Sequence, residues 1–348
     1  MLRRAQLAAA AAVDRVAHKV ALSRSAGSRA RSSAESLGPT ERMESLRSIA
    51  SFYEEKSEGL FVEPASGGVE ARETTLADGG RRIDLTFTSQ HRSLDPAVAP
   101  RLDDDPKNQR AEARLYVGPG APRPAILLIH GYLGGHFRFE ERAFSVPFLR
   151  SRGLDVALLV LPFHGNRGVV GRPRFPSSDP RVSIEGFRQA ILDARTVIRY
   201  LGETHGTTAF GAMGMSLGGY TSALLATVAP ELSFVVPMIP LASIADFAAA
   251  DGRYVGTATQ QREQHEAVER AYRVVSPLGR TPLVPREGRL VIAAEADHIT
   301  PRHHAEKLAA HFQSELVTFP GSHLLQLGRR QAFARVMRML EKLDLIPR

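Results

Sequence analysis

Gly214-Met215-Ser216-Leu217-Gly218 constrains the fold of this chain more than any other stretch, because it sets a serine between two glycines directly after the β-prone run Thr207 to Ala212. This is the G-x-S-x-G pattern of a strand that turns sharply into a helix with a serine at the bend. Such a bend strains its central residue, and side chains two positions away on either side would collide with neighbouring backbone, so glycine is required at both. The helix that follows is legible in Leu217 to Ala226, and its unpaired N-terminal amides favour negative charge beside Ser216. The motif alone also fits an ordinary strand-to-helix turn, so the rest of the chain must decide.

A serine hydroxyl is a weak nucleophile at neutral pH. It needs a histidine to take its proton and a carboxylate to hold the imidazole in the right tautomer, here in the chain order serine, acid, histidine. Leu290 to Ala294 reads as a short buried parallel strand whose C-terminal end delivers Glu295-Ala296-Asp297-His298, with Pro301 close behind. Asp297 is the expected acid, and Glu295, nearer the strand body, is its rival. A helix from Pro301 to about Phe312 precedes a further strand, Glu315 to Phe319, and the loop Pro320-Gly321-Ser322-His323. His323, beyond the last strand, is the expected general base. His298, His303, His304 and His311 precede or lie within the helix instead.

Acyl transfer also calls for two backbone amides aimed at a developing oxyanion. Leu217, the residue after the serine, supplies one. The apolar run Pro124 to Ile129 leads into His130-Gly131-Tyr132-Leu133-Gly134-Gly135, whose glycines let backbone approach a ligand, and Tyr132 is expected to supply the other. His130 is expected to brace that turn by hydrogen bonding rather than act in catalysis.

On these residues, the His130-Gly131 pair, the elbow around Ser216, the Asp297 turn with Pro301 and the final-loop His323, the chain from about Leu115 to its end resembles the α/β-hydrolase-fold serine hydrolases, the superfamily of esterases and lipases. The resemblance implies an α/β fold with a mainly parallel central sheet flanked by helices, a Ser216, Asp297, His323 triad, oxyanion donors at Tyr132 and Leu217, and no metal or organic cofactor. His130-Gly131-Tyr132-Leu133-Gly134-Gly135 departs from the H-G-G-G loop of one esterase branch, which leaves the nearest subfamily open.

At 348 residues with 43% hydrophobic content the chain can bury one large core. It has no cysteine, so disulfides and thiolate chemistry are excluded. No stretch approaches the roughly 18 apolar residues of a membrane-spanning helix, so a soluble, cytoplasmic protein is expected. The net charge of +8 suggests a nucleic-acid partner until it is located. Residues 1–31 hold Arg3, Arg4, Arg15, Lys19, Arg24, Arg29 and Arg31 against Asp14 alone, which is +6 and leaves 8 − 6 = +2 for everything else. No nucleic-acid partner is therefore expected. Residues 1–40 read as a basic, partly disordered tail, of which residues 1–31 are expected to be dispensable for catalysis, with organelle targeting or weak peripheral contact with an anionic membrane as the alternative.

Residues 41–348 are expected to form the hydrolase domain. Glu41 to about Ser57 reads as an amphipathic helix through Met43, Leu46, Ile49 and Phe52, and the alternating segments Ile83 to Thr88 and Ala113 to Val117 as antiparallel leading strands. Ser93 to Ala111, with Asp103-Asp104-Asp105, reads as a solvated loop rather than a cation site. Beyond Leu115, strand-length apolar runs alternate with helical patterns, as in βαβ units. The polar, helix-prone part of 245–288 is expected to be a small lid. In the loop from Pro162 to Asp179, His164 and Arg167 can equally bind substrate or pin the loop.

The pattern predicts cleavage of a small carboxylic ester through an acyl-enzyme. Amide or peptide hydrolysis by the same triad and a non-catalytic binding protein on the same fold are the alternatives.

Overall fold

The computed structural model describes residues 7, 10–14, 37–169 and 171–348. One mixed sheet of nine strands organises them: β1 (Val69–Thr75), β2 (Arg81–Thr88), β3 (Arg110–Val117), β4 (Ala125–Ile129), β5 (Asp155–Leu159), β6 (Phe210–Met215), β7 (Leu232–Met238), β8 (Leu290–Ala294) and β9 (Glu315–Phe319), in the spatial order β1-β2-β3-β5-β4-β6-β7-β8-β9. β1, β2 and β3 pair antiparallel and join the rest through an antiparallel β3–β5 contact, while all pairings from β5 to β9 are parallel.

The parallel strands are apolar without alternation because both faces of the sheet are covered. β4 shows how: Ala125, Leu127 and Ile129 enter one core cluster and Ile126 and Leu128 the other, as a side-chain period of two requires. On the first face lie α1 (Pro39–Glu54), α2 (Pro180–His205), α3 (Leu217–Leu225) and α6 (His303–Phe312), contributing Leu46, Phe187, Ile191, Ala194, Tyr220, Leu224 and Leu308. On the second lies α7 (Arg330–Lys342), through Phe333, Val336, Met337 and Leu340. Truncating a fully buried leucine such as Leu340 to alanine in a core of this kind costs about 2–5 kcal/mol. Between α3 and α6 in the chain stand α4 (Ile244–Ala250) and α5 (Ala258–Tyr272), each opened by a side-chain cap, Ser243 on the amide of Asp246 and Thr257 on that of Gln260.

The sequence pattern misses β1, whose residues face solvent almost throughout and show no alternation to read. The elbow strand begins three residues later than its β-prone run, because α2 ends at Gly206 in a left-handed cap and Thr207 to Ala209 form the connection. Ser93 to Ala111 is not a wholly solvated loop: it carries helical turns at Ala99–Leu102 and Pro106–Gln109 and buries Val98, Leu102 and Asn108. Its aspartates serve the backbone, Asp105 capping the amides of Lys107 and Asn108 and Asp103 accepting from the amide of Ser93. Helix α1 packs on α5 as well as on the core, with an Arg270–Glu54 ion pair at 2.7 Å across that contact.

The basic residues Arg3, Arg4, Arg15, Lys19, Arg24, Arg29 and Arg31 lie outside the described residues. Residues 10–14 are helical and bury Ala10, Ala11 and Asp14 on one face while Ala12 and Val13 face solvent. No helix among the described residues is long and apolar enough to cross a membrane.

Candidate active site

Because β4 to β9 run parallel, the segments following β4, β6, β8 and β9 emerge at the same edge of the sheet, where open α/β sheets bind ligands. They carry Tyr132, Ser216, Asp297 and His323 respectively.

Ser216 sits at φ 57° and ψ −115°, a costly conformation for any residue with a side chain. The backbone around it holds the strain in place: its amide donates to Met238 O at 3.1 Å, and its carbonyl accepts from Tyr220 and Leu241, each at 3.1 Å. A Cβ at Gly214 would lie 1.9 Å from the carbonyl oxygen of Gly218, and one at Gly218 would lie 1.9 Å from that of Ile129. Both glycines of the motif are therefore required by close backbone approach.

The carboxylate that reaches His323 is that of Asp297, with 2.8 Å between Oδ2 and Nδ1. Its Oδ1 accepts from the amides of Ile299 at 2.9 Å and Thr300 at 2.8 Å, which fixes its orientation. A carboxylate facing Nδ1 selects the tautomer with hydrogen there and leaves Nε2 as the basic nitrogen. Thr300 Oγ1 donates to Ile239 O at 2.9 Å, so at 3.1 Å from His323 Nδ1 it presents a lone pair to the same N–H. The side chain of Asp297 is 1% exposed and that of His323 10%, so the acid is sealed while the ring stays reachable. Glu295 donates its amide to Phe319 O at 3.1 Å and Ala296 donates to Gly321 O at 2.8 Å, tying the acid loop to the histidine loop. Ser216 and His323 share no hydrogen bond among the described residues; such contacts commonly tighten only with substrate bound.

Two of the other downstream histidines are engaged elsewhere. His304 is buried and accepts at Nδ1 from the amides of Ala242 at 3.3 Å and Ser243 at 3.4 Å; burial first, then neighbouring His303, drives its pKa down to about 4. His311 Nε2 lies 2.8 Å from Arg280 O.

Leu217 is the first residue of α3 and Tyr132 stands in the open loop after β4; among the described residues neither amide makes a backbone hydrogen bond. The loop is braced from both sides. His130 Nε2 accepts from the amide of Leu161 at 3.0 Å, so its Nδ1 carries the hydrogen and donates to Gly131 O at 2.8 Å. Burial drives the pKa of His130 down to about 3 and keeps the ring neutral. Glu140, which the sequence pattern did not single out, accepts from the amide of Gly135 at 2.9 Å, and burial lifts its pKa to about 7. Its only sequence signal is an acid five residues beyond a glycine loop.

Arg167 pins its loop and offers substrate nothing. It is fully buried, donating from Nε and Nη2 to Asn108 O at 3.0 and 2.7 Å and from Nη1 to Val160 O at 2.9 Å, with Asp193 Oδ2 at 2.8 Å from Nη2. A guanidinium so occupied cannot turn to a ligand. His164 is also buried, with Nδ1 2.8 Å from Pro162 O, its ring edge-on to Tyr132 at 5.9 Å between centroids, and Nε2 without a partner among the described residues.

Asp14 also reaches the site, from a segment that the sequence reading set apart from it. Its buried carboxylate accepts from the amide of His323 at 2.8 Å, the hydroxyl of Ser322 at 2.8 Å, the amide of Leu324 at 3.1 Å and the amide of His298 at 3.3 Å. No local pattern foretells a contact spanning some three hundred residues of chain. Its one sequence signal is being the sole acid among seven basic residues.

An acetyl xylan esterase from Thermoanaerobacterium superposes on this chain with a TM-score of 0.56 at 17% identity, over 85% of this chain and 93% of its own. A cold-adapted esterase from an Arctic intertidal metagenomic library does so with a TM-score of 0.52 at 17% identity, over 78% of this chain and 97% of its own. The chain has the α/β-hydrolase fold. At these identities the likeness concerns the fold alone. No family model matches the chain. An uncharacterized protein of Mycobacterium tuberculosis is 32% identical over 224 residues, 62% of this chain and 53% of the relative, so the match spans about half the length of that curated relative.

Within this fold, α4 and α5 form a helical insertion between β7 and β8. Asp246 of α4 comes within 4.8 Å of histidine nitrogens in two groupings, with His303 and His304 and with His265 and Glu269. Its oxygens are already engaged by His265 Nε2 at 2.9 Å and by the ammonium of Lys307, an arrangement that ties the insertion to α6 and disfavours a cation.

Proposed function

We propose that this chain is a serine hydrolase that cleaves a carboxylic ester through an acyl-enzyme, with Ser216, Asp297 and His323 as its triad. The observation that carries the reading is the 2.8 Å bond between Asp297 Oδ2 and His323 Nδ1 on the sheet edge that also presents the strained Ser216. Ser216 Oγ attacks the ester carbonyl carbon while His323 Nε2 takes the hydroxyl proton. The resulting oxyanion accepts from the amides of Leu217 and Tyr132. Collapse of the tetrahedral adduct breaks the bond to the alkoxy oxygen, which leaves as the alcohol with the proton from His323. Water then gives its proton to His323 and adds to the acyl carbon, and release of the acid returns the proton to Ser216. Exposed Tyr132 and Leu133 on one loop and Leu324 and Leu325 on another support an apolar acyl portion.

The test is reaction of the pure full chain with a fluorophosphonate probe, followed by turnover of p-nitrophenyl esters from acetate to long acyl chains. Labelling mapped to Ser216, with turnover that varies along the series, is expected. A folded protein that neither labels at Ser216 nor hydrolyses any ester overturns the reading.

A further inference from the structure

We propose that Asp14 is a positioning residue of the active site, holding the His323 loop and the Asp297 loop in register by a single carboxylate; this rests on the triad proposed above. His323 is held at two points, its ring by Asp297 and its backbone amide by Asp14, each at 2.8 Å. The second oxygen of Asp14 takes the Ser322 hydroxyl and the Leu324 amide, the neighbours of His323 on either side. The amide of His298, next to Asp297, shares the oxygen that binds the His323 amide. One carboxylate therefore bridges the loop of the acid and the loop of the base.

The number and type of its partners separate this role from a simple docking contact of the N-terminal segment. A fully buried carboxylate is costly unless satisfied, and among the described residues its partners are three backbone amides and a hydroxyl, all belonging to the two catalytic loops. Loss of the carboxylate would strand these donors in a buried site, and the loops would have to shift to find water. A shift of about 1 Å in a catalytic group is enough to cost on the order of 100-fold in rate. The expectation that residues 1–31 are dispensable for catalysis is replaced by the opposite one.

The experiment uses the full chain with Asp14→Asn, which keeps the shape but turns an amide NH2 toward N–H donors, and Asp14→Ala. Turnover of a short p-nitrophenyl ester, the rate of fluorophosphonate labelling at Ser216, and hydrogen exchange at the His323 and Leu324 amides are measured on each. The expected result is a fall in kcat of roughly 10- to 100-fold in Asp14→Asn with KM within about twofold, a parallel fall in labelling rate, and faster exchange at both amides. Folded variants with wild-type kcat and unchanged exchange overturn the proposal. If neither variant folds, the wild type decides: His323 and Leu324 amides that exchange at the rate of an open loop overturn it, and strong protection supports it. Failure of the wild type to label at Ser216 sinks the hydrolase reading instead, because amide exchange is measured without any turnover.

Discussion

Two of the histidine–carboxylate pairs among the described residues have nearly the same hydrogen-bond length and different surroundings. His323 meets Asp297 at 2.8 Å on the ligand edge of the sheet, and His91 meets Glu185 at 3.0 Å beneath α2. His323 uses Nδ1 for its acid, on a ring that is 10% exposed. His91 is 2% exposed and uses Nε2 for its acid, while its Nδ1 faces Asp103 at 3.7 Å. Glu185 also takes the hydroxyl of Tyr53 and the amide of Leu94, each at 2.9 Å, and the guanidinium of Arg188. Burial pushes the Glu185 carboxyl up, but His91 and Arg188 outweigh it and hold it below the usual carboxylate range. A histidine beside an acid is thus a common structural device, and a reachable ring on the sheet edge that also presents the strained Ser216 is what makes one of the two a catalytic candidate.

The sharpest break of that comparison is to remove each pair in turn. Ser216→Ala and His323→Ala are each expected to lower kcat by about 10⁴-fold or more without loss of fold, and their effects together should fall far short of multiplying, as groups acting as one unit do. Asp297→Asn should cost up to roughly 10⁴-fold, since the amide stabilises neither the tautomer nor the imidazolium, and Glu295→Gln much less. Steady-state kinetics on a short ester, with contaminating activity excluded by active-site labelling, checks all four. Near wild-type turnover in His323→Ala would erase the distinction between the two pairs.

The other pair should respond in the opposite currency. Glu185→Gln leaves Arg188 buried against a neutral group and is expected to lower stability by about 3–5 kcal/mol while kcat per folded molecule stays within about threefold. Urea unfolding with parallel kinetics measures both. A large loss of kcat with unchanged stability would move Glu185 from the scaffold to the site.

What was legible in the sequence divides along the same line. The elbow, the acid turn and the final histidine loop announce themselves because each depends on local constraint: glycine at Gly214 and Gly218 where backbones nearly touch, and a carboxylate at the end of an apolar strand. The parallel strands are legible because burial on both faces makes them uniformly apolar. The opposite holds for β1, whose exposed residues carry no period, and for Arg167, whose role depends on Asn108 and Asp193 arriving from separate elements. Asp14 was illegible for the same reason. Local chemistry can be read from spacing, whereas a polar group buried by distant chain can be read only from its partners.

The smallest expected effect concerns Glu140, a structural acid beside the candidate site itself, which tests whether scaffold and site can share one loop. Burial lifts its pKa from 4.5 to about 7 in the folded protein, although the amide of Gly135 opposes the shift. An acid with a raised folded pKa contributes stability that is fully present below its unfolded pKa and is lost as pH rises through the folded value. Between about pH 4.5 and 7 the folded state keeps a proton that the unfolded chain has released, so this group makes stability fall as pH rises across that window. Glu140→Gln retains an acceptor for Gly135 and cannot ionise. It should therefore flatten that slope, gaining stability relative to wild type as pH rises from about 4.5 to 7, with turnover at neutral pH within a few-fold. Thermal unfolding of the two proteins from pH 4 to 8 measures the difference. Parallel stability profiles would show that Glu140 is solvated in the native state, and a collapse of kcat in Glu140→Gln would show that its charge, rather than its acceptor, holds the Tyr132 loop.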